Sequence, residues 1–133
     1  MHPTWRSITL RLVLLLAFMP LPATAQQVIA TVNVGAQPQG VAVNPATNKI
    51  FVTDRGSGEV TVINGMTNQT TTVPVGMFPI PVAVNAATNK VYIGNYIDNT
   101  VTIIDGATNN TTTVNVGVEP DFIAVNAATN KYT

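Results

Sequence analysis

The stretch VAVNPATNK at residues 41–49 returns almost unchanged as VAVNAATNK at 82–90, and its core returns again as AVNAATNK at 124–131. No insertion or deletion disturbs the spacing between the copies. The flanking glycines and lysines recur at the same constant interval, at Gly35, Gly76, Gly117, Lys49, Lys90 and Lys131. A period of about 40 residues indicates one supersecondary unit copied along the chain, and the content of that unit decides the fold.

Each unit contains four short segments rich in β-branched and aromatic residues, separated by turn signals. Asn44–Asn48 and Asn64-Gly65 are such turns, and residues 26–133 show no helical periodicity. Four antiparallel strands in each repeat predict a β-propeller blade. A β-sandwich and a β-solenoid are the alternatives, and the uniform four-strand period argues against both. In the first unit the predicted strands are 41–44, 49–53, 59–63 and 70–75.

The apolar pattern also predicts where each strand lies within its blade. Val41–Val43 and Val82–Val84 are continuous apolar runs, typical of an inner strand that is buried on both faces. Pro74 predicts that the fourth strand lies at an edge, because proline cannot donate to a central ladder.

These residues resemble the YVTN β-propeller repeat family, including its YncE-like periplasmic and surface-layer members. The likeness runs from Pro38 through VAVNPATNKIFVTD to VTVING and covers residues 27–131. The tetrapeptide that names the family appears as FVTD at 51–54 and YIGN at 92–95, two conservative departures. The resemblance implies a propeller of about seven blades, with surface-layer, periplasmic and enzyme-associated relatives.

We therefore predict an all-β chain that forms an incomplete propeller over residues 26–133. Complete blades are expected at about 41–75 and 82–116, and a partial third blade from 123. Residues 28–34 align with the fourth-strand position and predict a leading outer strand. Since closure takes typically four to eight blades, the chain is interpreted as a truncated propeller or as one that self-associates through its open blade faces.

Residues 1–25 have the pattern of a secretory signal peptide rather than of a blade. Arg6 and Arg11 precede an apolar run at 12–19, and Ala23-Thr24-Ala25 is a small-x-small cleavage site before Gln26. The alternative is an uncleaved membrane anchor, but the run is shorter than the about 20 residues that span a bilayer. The pattern predicts a periplasmic or extracellular protein with no membrane contact after cleavage, and the resemblance to the YVTN family favours a bacterial source.

Composition excludes several kinds of function for residues 26–133. Four basic and six acidic side chains leave a net charge of −2, so a nucleic-acid partner is disfavoured. The single histidine, His2, lies in the signal peptide and cysteine is absent. A histidine- or cysteine-based nucleophile and a zinc-type metal site are therefore excluded, and we expect no cofactor, no metal and no enzymatic activity.

The repeats differ from one another mainly on one predicted face. Because the strands are antiparallel, the loops between second and third strands emerge on the same face as the loops between blades. The loops on this face vary between repeats, whereas the turns on the opposite face are nearly constant. Variable loops on a rigid scaffold are a usual place for a binding site, although unconstrained surface loops would vary in the same way. The candidate binding face consists of Arg55, Phe78, Tyr96, Asp98, Glu119 and Asp121.

Two functions remain open at the level of sequence. The favoured one is a non-catalytic scaffold that presents these loops to a protein, a glycan or a small ligand. The alternative is a piece of a propeller enzyme, of redox or lactone-hydrolase type, with its catalytic residues in other blades. Asp98 with Asp105, or Glu119 with Asp121, could form carboxylate pairs, but single acids in such turns are more often turn formers.

Overall fold

The computed structural model of the protein describes residues 26–133. The chain divides into two units, Met1–Thr31 and Val32–Thr133. The predicted signal peptide lies outside the described residues, and residues 26–31, the described part of the first unit, form no strand. Ten strands lie in the second unit, and residues 26–133 contain no helix.

The first blade is a four-stranded antiparallel sheet whose strands are paired in chain order. Val, Ile, Phe and Thr dominate these strands because β-branched and aromatic side chains pack well on a pleated surface. Pro74 lies in the last strand, at the edge of the sheet, as predicted. The four strands are β1 (Pro38–Asn44), β2 (Lys49–Asp54), β3 (Glu59–Asn64) and β4 (Thr70–Pro74).

The second blade repeats the first with the same pairing, shifted by one repeat. The pair Phe51↔Val62 becomes Tyr92↔Ile103. A two-stranded antiparallel sheet follows at the position of the partial third blade, so the predicted all-β fold and its fourfold strand grouping are confirmed. The remaining strands are β5 (Pro79–Asn85), β6 (Lys90–Asn95), β7 (Thr100–Asp105), β8 (Thr111–Asn115), β9 (Val125–Asn126) and β10 (Lys131–Tyr132).

The repeated phrase of the sequence forms the turn between the first and second strands of each blade. The Asn44 side chain accepts the N–H of Ala46 at 3.0 Å, and Asn85 does the same for Ala87 at 3.1 Å. Each turn ends on an asparagine in the left-handed region, with φ of 52° at Asn48 and Asn89. Asparagine tolerates this conformation better than most residues, which explains why these positions repeat.

The same asparagines also join one blade to the next. Asn44 Nδ2 donates to Asn89 Oδ1 at 2.9 Å, and Asn85 Nδ2 donates to Asn130 Oδ1 at 3.3 Å. Lys49 adds a third bond between blades, from its Nζ to the Gly106 carbonyl at 2.6 Å. The repeated turn therefore sets both the geometry of one blade and its distance from the next.

The hydrophobic core lies between the two complete blades. Each of the two blades contributes the side chains on the face that is directed toward the other blade. Because cross-strand pairs project to the same face of a sheet, each blade supplies one continuous apolar layer. The buried members are Phe51, Val60, Val62, Val73, Val91, Ile93 and Ile104, with Val82 and Val84 packed against them.

The other face of β1 differs from the prediction. Val41 and Val43 were expected to be buried on both sides, yet 66% and 54% of their surfaces are exposed. Their equivalents Val82 and Val84 are partly buried because they pack against the first blade. No sheet among the described residues packs on the outward side of β1. The strand therefore has the apolar pattern of an inner strand, although one of its faces is uncovered.

The leading outer strand predicted at 28–34 is not formed, since residues 26–37 contain no strand. A fourth strand exists only as the hydrogen-bonded partner of a third strand in its own blade. Both third strands of the described blades, β3 and β7, already have β4 and β8 as partners. Residues 35–37 instead lie against the end of β2, where Gly56 N donates to the Ala36 carbonyl at 2.9 Å.

Candidate functional site

The variable loops meet where one blade follows another. The Arg55 N–H donates to the Gln37 carbonyl at 3.1 Å, and the Tyr96 N–H donates to the Phe78 carbonyl at 3.0 Å. Each loop between second and third strands thus touches the loop that enters its own blade. The side chains of Arg55 and Tyr96 also reach the loop that leaves their own blade. We call these two side-chain contacts the first junction (Arg55 with Phe78) and the second junction (Tyr96 with Glu119).

The first junction is a cation–π contact. The central guanidinium carbon of Arg55 lies 4.5 Å from the centroid of the Phe78 ring. A guanidinium stacked on an aromatic ring keeps its N–H groups free for other acceptors. Arg55 forms no side-chain hydrogen bond or ion pair with residues 26–133, and its Nε is enclosed without a partner.

The second junction has the opposite chemistry. The Tyr96 hydroxyl donates to Glu119 Oε2 at 2.9 Å. This hydrogen bond is the main cause of a raised pKa at the Tyr96 phenol, followed by burial and by the negative charges of Glu119 and Asp121. The positions are equivalent, because Tyr96 follows Arg55 by one repeat and Glu119 follows Phe78 by one repeat. The scaffold therefore presents a cation at one junction and anions at the next.

The backbone of the entering loops is strained at one repeated position. Gln37, Phe78 and Glu119 have φ of 53°, 54° and 51°, in the left-handed region. For side chains of this size the conformation is uncommon, and such outliers are concentrated at functional sites. Sequence reasoning missed this feature, since none of the three residues is the glycine or asparagine that usually signals it.

Asp98 lies beside the first junction and has a backbone partner. Its Oδ2 accepts the Met77 N–H at 2.8 Å, and Asn99 Oδ1 accepts the Glu119 N–H at the same distance. Asp98 and Asp105 do not form a pair, because Asp105 lies at the other end of β7 and binds Lys90 Nζ at 2.6 Å. Asp98 and Asn99 thus order neighbouring loops.

Two cavities open next to the junctions. The first, of about 190 Å³, is at the first junction and is lined by Arg55, Gly56, Ser57, Gly58, Met77 and Phe78. The second, of about 310 Å³, lies beyond the second junction, where Glu119 and Asp121 stand among apolar side chains such as Val118 and Phe122. The structure therefore brings the six predicted residues to the junctions, although it divides them between two sites rather than one.

A buried polar corner under the loops was not foreseen from the sequence. Asp54, at the end of β2, is fully buried, and its Oδ2 accepts the Thr61 hydroxyl at 2.6 Å while Oδ1 has no partner. Asn95 fills the same corner of the second blade, where its Oδ1 accepts the Gly76 N–H at 3.1 Å. Its Nδ2 donates to Thr100 and Thr102, each at 2.9 Å.

Neither a metal-binding cluster nor a membrane-spanning helix occurs in the described part of the chain. Residues 26–133 hold no group of three or more histidine, cysteine or acidic side chains arranged to bind a metal ion. Over the same residues, no helix has the length and apolar character needed to cross a bilayer.

Residues 36–63, which run from the entering loop of the first blade through β3, match the NHL repeat. The matching segment is therefore three strands of one blade. No curated protein matches the chain by sequence.

Solved structures resemble the chain over most of its length. Hydrazine synthase of Kuenenia stuttgartiensis superposes with a TM-score of 0.64 at 20% identity, over 77% of this chain and 30% of that one. A functionally unknown protein of Desulfotomaculum acetoxidans DSM 771 gives 0.64 at 17%, over 75% and 35%. Apo AztD of Citrobacter koseri gives 0.55 at 17%, over 67% and 26%.

The chain thus spans about a third of the length of the first two of these proteins. At this level of identity the likeness shows the fold alone. Together with the two complete sheets and the NHL match, it identifies the chain as a β-propeller repeat protein whose described residues form two blades and part of a third.

Proposed function

We propose that the chain is an exported, non-catalytic β-propeller protein of the YVTN, YncE-like type. Its role is to bind a protein, glycan or small ligand through the loops at the blade junctions. The residues that contribute are the candidate face of Arg55, Phe78, Tyr96, Asp98, Glu119 and Asp121.

One observation carries the proposal, namely that the junctions change chemistry on a scaffold that otherwise repeats. The two sheets have the same strand pairing, and their turns use the same asparagines. At the junctions, however, a stacked cation is followed by a phenol–carboxylate pair. Unlike the inner contacts that also differ between the blades, the junction residues lie beside cavities open to solvent, so their variation favours recognition.

The inventory of reactive side chains supports a role without catalysis. Residues 26–133 contain no histidine and no cysteine, and two of the loop acids, Asp98 and Glu119, are engaged with a backbone and a phenol donor. The alternative, a piece of a propeller enzyme, would need its acid–base groups in other blades. Its support is limited to the shared fold of enzymes such as hydrazine synthase, and a fold does not carry an activity.

Export supplies the proposed location, periplasmic or extracellular. It is tested by expressing the full chain in a Gram-negative host and determining the first residue of the exported product. Cleavage after Ala25 gives Gln26 as the first residue. A product that keeps its leader and stays with the membrane would contradict this part of the proposal.

Partners are proposed from charge and from the open face of β1. The net charge of −2 over residues 26–133 disfavours nucleic acid. Val41 and Val43 give the first blade an exposed apolar strip through which copies of the chain could associate. Sedimentation of the exported chain over a range of concentrations tests this, and a monomer at every concentration would rule it out.

The binding role is tested by a ligand screen on two proteins. The full chain and a variant with both junctions neutralised, Arg55→Gln with Glu119→Gln, are screened by thermal shift against small carboxylates, amines and sugars. A scaffold that binds at its junctions gives ligands that raise the melting temperature of the natural chain alone. If every ligand acts equally on both proteins, the junctions are not the binding site.

A further inference from the structure

Arg55 is a cation without an acid partner in the described structure. The ion pair found among residues 26–133 joins Lys90 to Asp105, far along the strands from the first junction. The guanidinium has five N–H donors in a planar fork, and none of them is used within these residues. A guanidinium that is enclosed on one side and unpaired is suited to bind an anion.

The position of this guanidinium is fixed before any ligand arrives. Its plane is supported by the Phe78 ring at 4.5 Å, and Phe78 itself is held in the left-handed region with φ of 54°. Both ends of the junction are tied by backbone bonds, from Arg55 N to Gln37 O and from Tyr96 N to Phe78 O. A fixed fork loses less entropy on binding than a free arginine side chain does.

The cavity beside Arg55 suits a small group with an apolar part. Its volume is about 190 Å³, and Met77 and Phe78 supply apolar surface opposite the loop of Gly56, Ser57 and Gly58. Larger residues could not replace these glycines easily, because a Cβ on Gly56 would approach the Ala36 carbonyl to 3.1 Å and Gly58 has φ of 68°. The loop is thus restricted to residues without a side chain at these two positions beside the cavity.

We propose that the first junction is a binding site for a small carboxylate with a short apolar chain. The outer N–H groups of Arg55 hold the two carboxylate oxygens, and the chain lies against Met77 and Phe78. This inference rests on the proposed binding role of the loops and gives one junction its ligand class. The second junction, with Glu119 and Asp121, repels the same ligand.

Asp98 sets the strength of this site. Its carboxylate accepts the Met77 N–H at 2.8 Å and so places a negative charge next to the cavity. That charge weakens the attraction between Arg55 and an anion, because like charges at short range raise the energy of the complex. Removal of the Asp98 charge should therefore strengthen binding.

The experiment uses the full chain, labelled with ¹⁵N, and titrates it with hexanoate, its neutral amide hexanamide and the cation hexylamine. We expect saturable shifts at the amides of residues 56–58 and 77–78 and at Arg55 Nε–H with hexanoate. Hexanamide should bind about tenfold more weakly, since it cannot form the charged pair, and hexylamine should not bind there. Asp98→Asn should raise the hexanoate affinity about two- to tenfold.

The chain itself supplies the matched control variant. Arg55→Tyr combined with Phe78→Glu installs at the first junction the pair that the second junction already accommodates, so the fold is retained. This variant should lose hexanoate binding, while Lys131→Gln, which removes an exposed cation in the partial third blade, should leave it unchanged. Arg55→Lys keeps the charge without the fork and should bind about tenfold more weakly.

Several outcomes would overturn the inference. Equal binding of hexanoate and hexanamide, shifts that map away from the first junction, or unaltered binding by the Arg55→Tyr, Phe78→Glu variant would each do so. If hexanoate fails while amines or sugars still stabilise the natural chain in the junction screen, the carboxylate assignment is wrong and the scaffold role stands. If neither binds, both are wrong.

Discussion

The first and second blades have the same strand pairing but different residue pairs at some equivalent positions. At one inner position, the Thr53 hydroxyl accepts the Gly40 N–H at 2.8 Å and donates to the Ile80 carbonyl of the next blade at 3.0 Å. In the second blade the positions of Thr53 and Gly40 hold Gly94 and Pro81, and a Cβ on Gly94 would come within 2.5 Å of the proline ring. A larger residue on one strand is matched by a smaller one on its neighbour, so the pair is kept compatible.

The two blades show which positions keep the same kind of residue in each repeat and which do not. Turn asparagines and core side chains recur because they set the angle and spacing of the blades. The contacting pair of Arg55 with Phe78 is replaced by another compatible pair in the second blade. Asp54, which contacts Thr61, is replaced by Asn95, which contacts the equivalent threonine. Differences between the blades are therefore best tested in pairs.

The largest expected effect separates the covered face from the open one. Ile93, fully buried between the blades, is one repeat away from Val52, which is half-buried on the outward face of the first blade. Ile93→Ala should lower the free energy of unfolding by about 2–5 kcal/mol through a cavity in the core. Val52→Ala should cost less than about 1 kcal/mol.

Urea unfolding of the two variants measures this difference. A similar loss from both would mean that the outward face of the first blade is covered as well as the core, for instance by another copy of the chain. Repeating the measurement at several protein concentrations separates that case from a monomer with an ordered outer face.

The next effect concerns the matched inner pair. Gly94→Thr should destabilise the chain by about 1–3 kcal/mol because its side chain overlaps the Pro81 ring. Pro81→Gly in the same chain reproduces the glycine–threonine arrangement of Gly40 and Thr53, so part of the loss should be recovered. A double-mutant cycle measured by urea unfolding gives the coupling, expected at about 1 kcal/mol, and purely additive losses would refute the matching.

A gain in stability is expected at the buried corner. Asp54→Asn replaces a carboxylate that has an unpartnered, buried oxygen with the residue that the second blade uses there. We expect the free energy of unfolding to rise by about 1–2 kcal/mol, and Asn95→Asp to lower it by a similar amount or more. Opposite signs for the two exchanges in urea unfolding are the informative result, and a loss from Asp54→Asn would show that the charge is needed at that corner.

The smallest effect is a pH dependence confined to the second blade. Lys90 and the N–H groups of Ala107 and Thr108 hold the pKa of Asp105 at about 2, below its ordinary value of 3.8. The carboxylate thus stabilises the fold above about pH 4, and this contribution is lost as pH falls through about 2. Asn64 takes the same turn in the first blade without a charge.

Thermal unfolding over that pH range should therefore show a smaller loss for Asp105→Asn than for the natural chain. Asn64→Asp offers the reciprocal control, because it should add an acid-sensitive contribution to the first blade. If Asp105→Asn leaves the pH profile unaltered, the Lys90 contact contributes nothing to stability, which is common for exposed ion pairs.

Much of the fold was predictable because it depends on local, repeated signals. The bounds expected from turn residues and β-branched runs agree within one residue for β2, β3 and β4, whereas β1 begins three residues before the predicted start at 41. Pro74 lies at an edge as its missing N–H requires. The candidate residues are predictable because they belong to the loops that vary between the repeats. Neither their division into a cationic and an anionic junction nor the left-handed Phe78 was readable, because both depend on contacts between loops that are distant in sequence.

Local sequence signals specify the blade: a repeat of constant length, a grouping of strands in fours, and asparagine turns whose side chains satisfy their own backbone. The surroundings of each blade follow instead from its packing in three dimensions. Val41 and Val82 read alike in sequence, yet one is exposed and the other packs on a neighbour. Local hydrogen bonds follow from neighbours along the chain, whereas burial and unpaired charge depend on which surfaces meet in space.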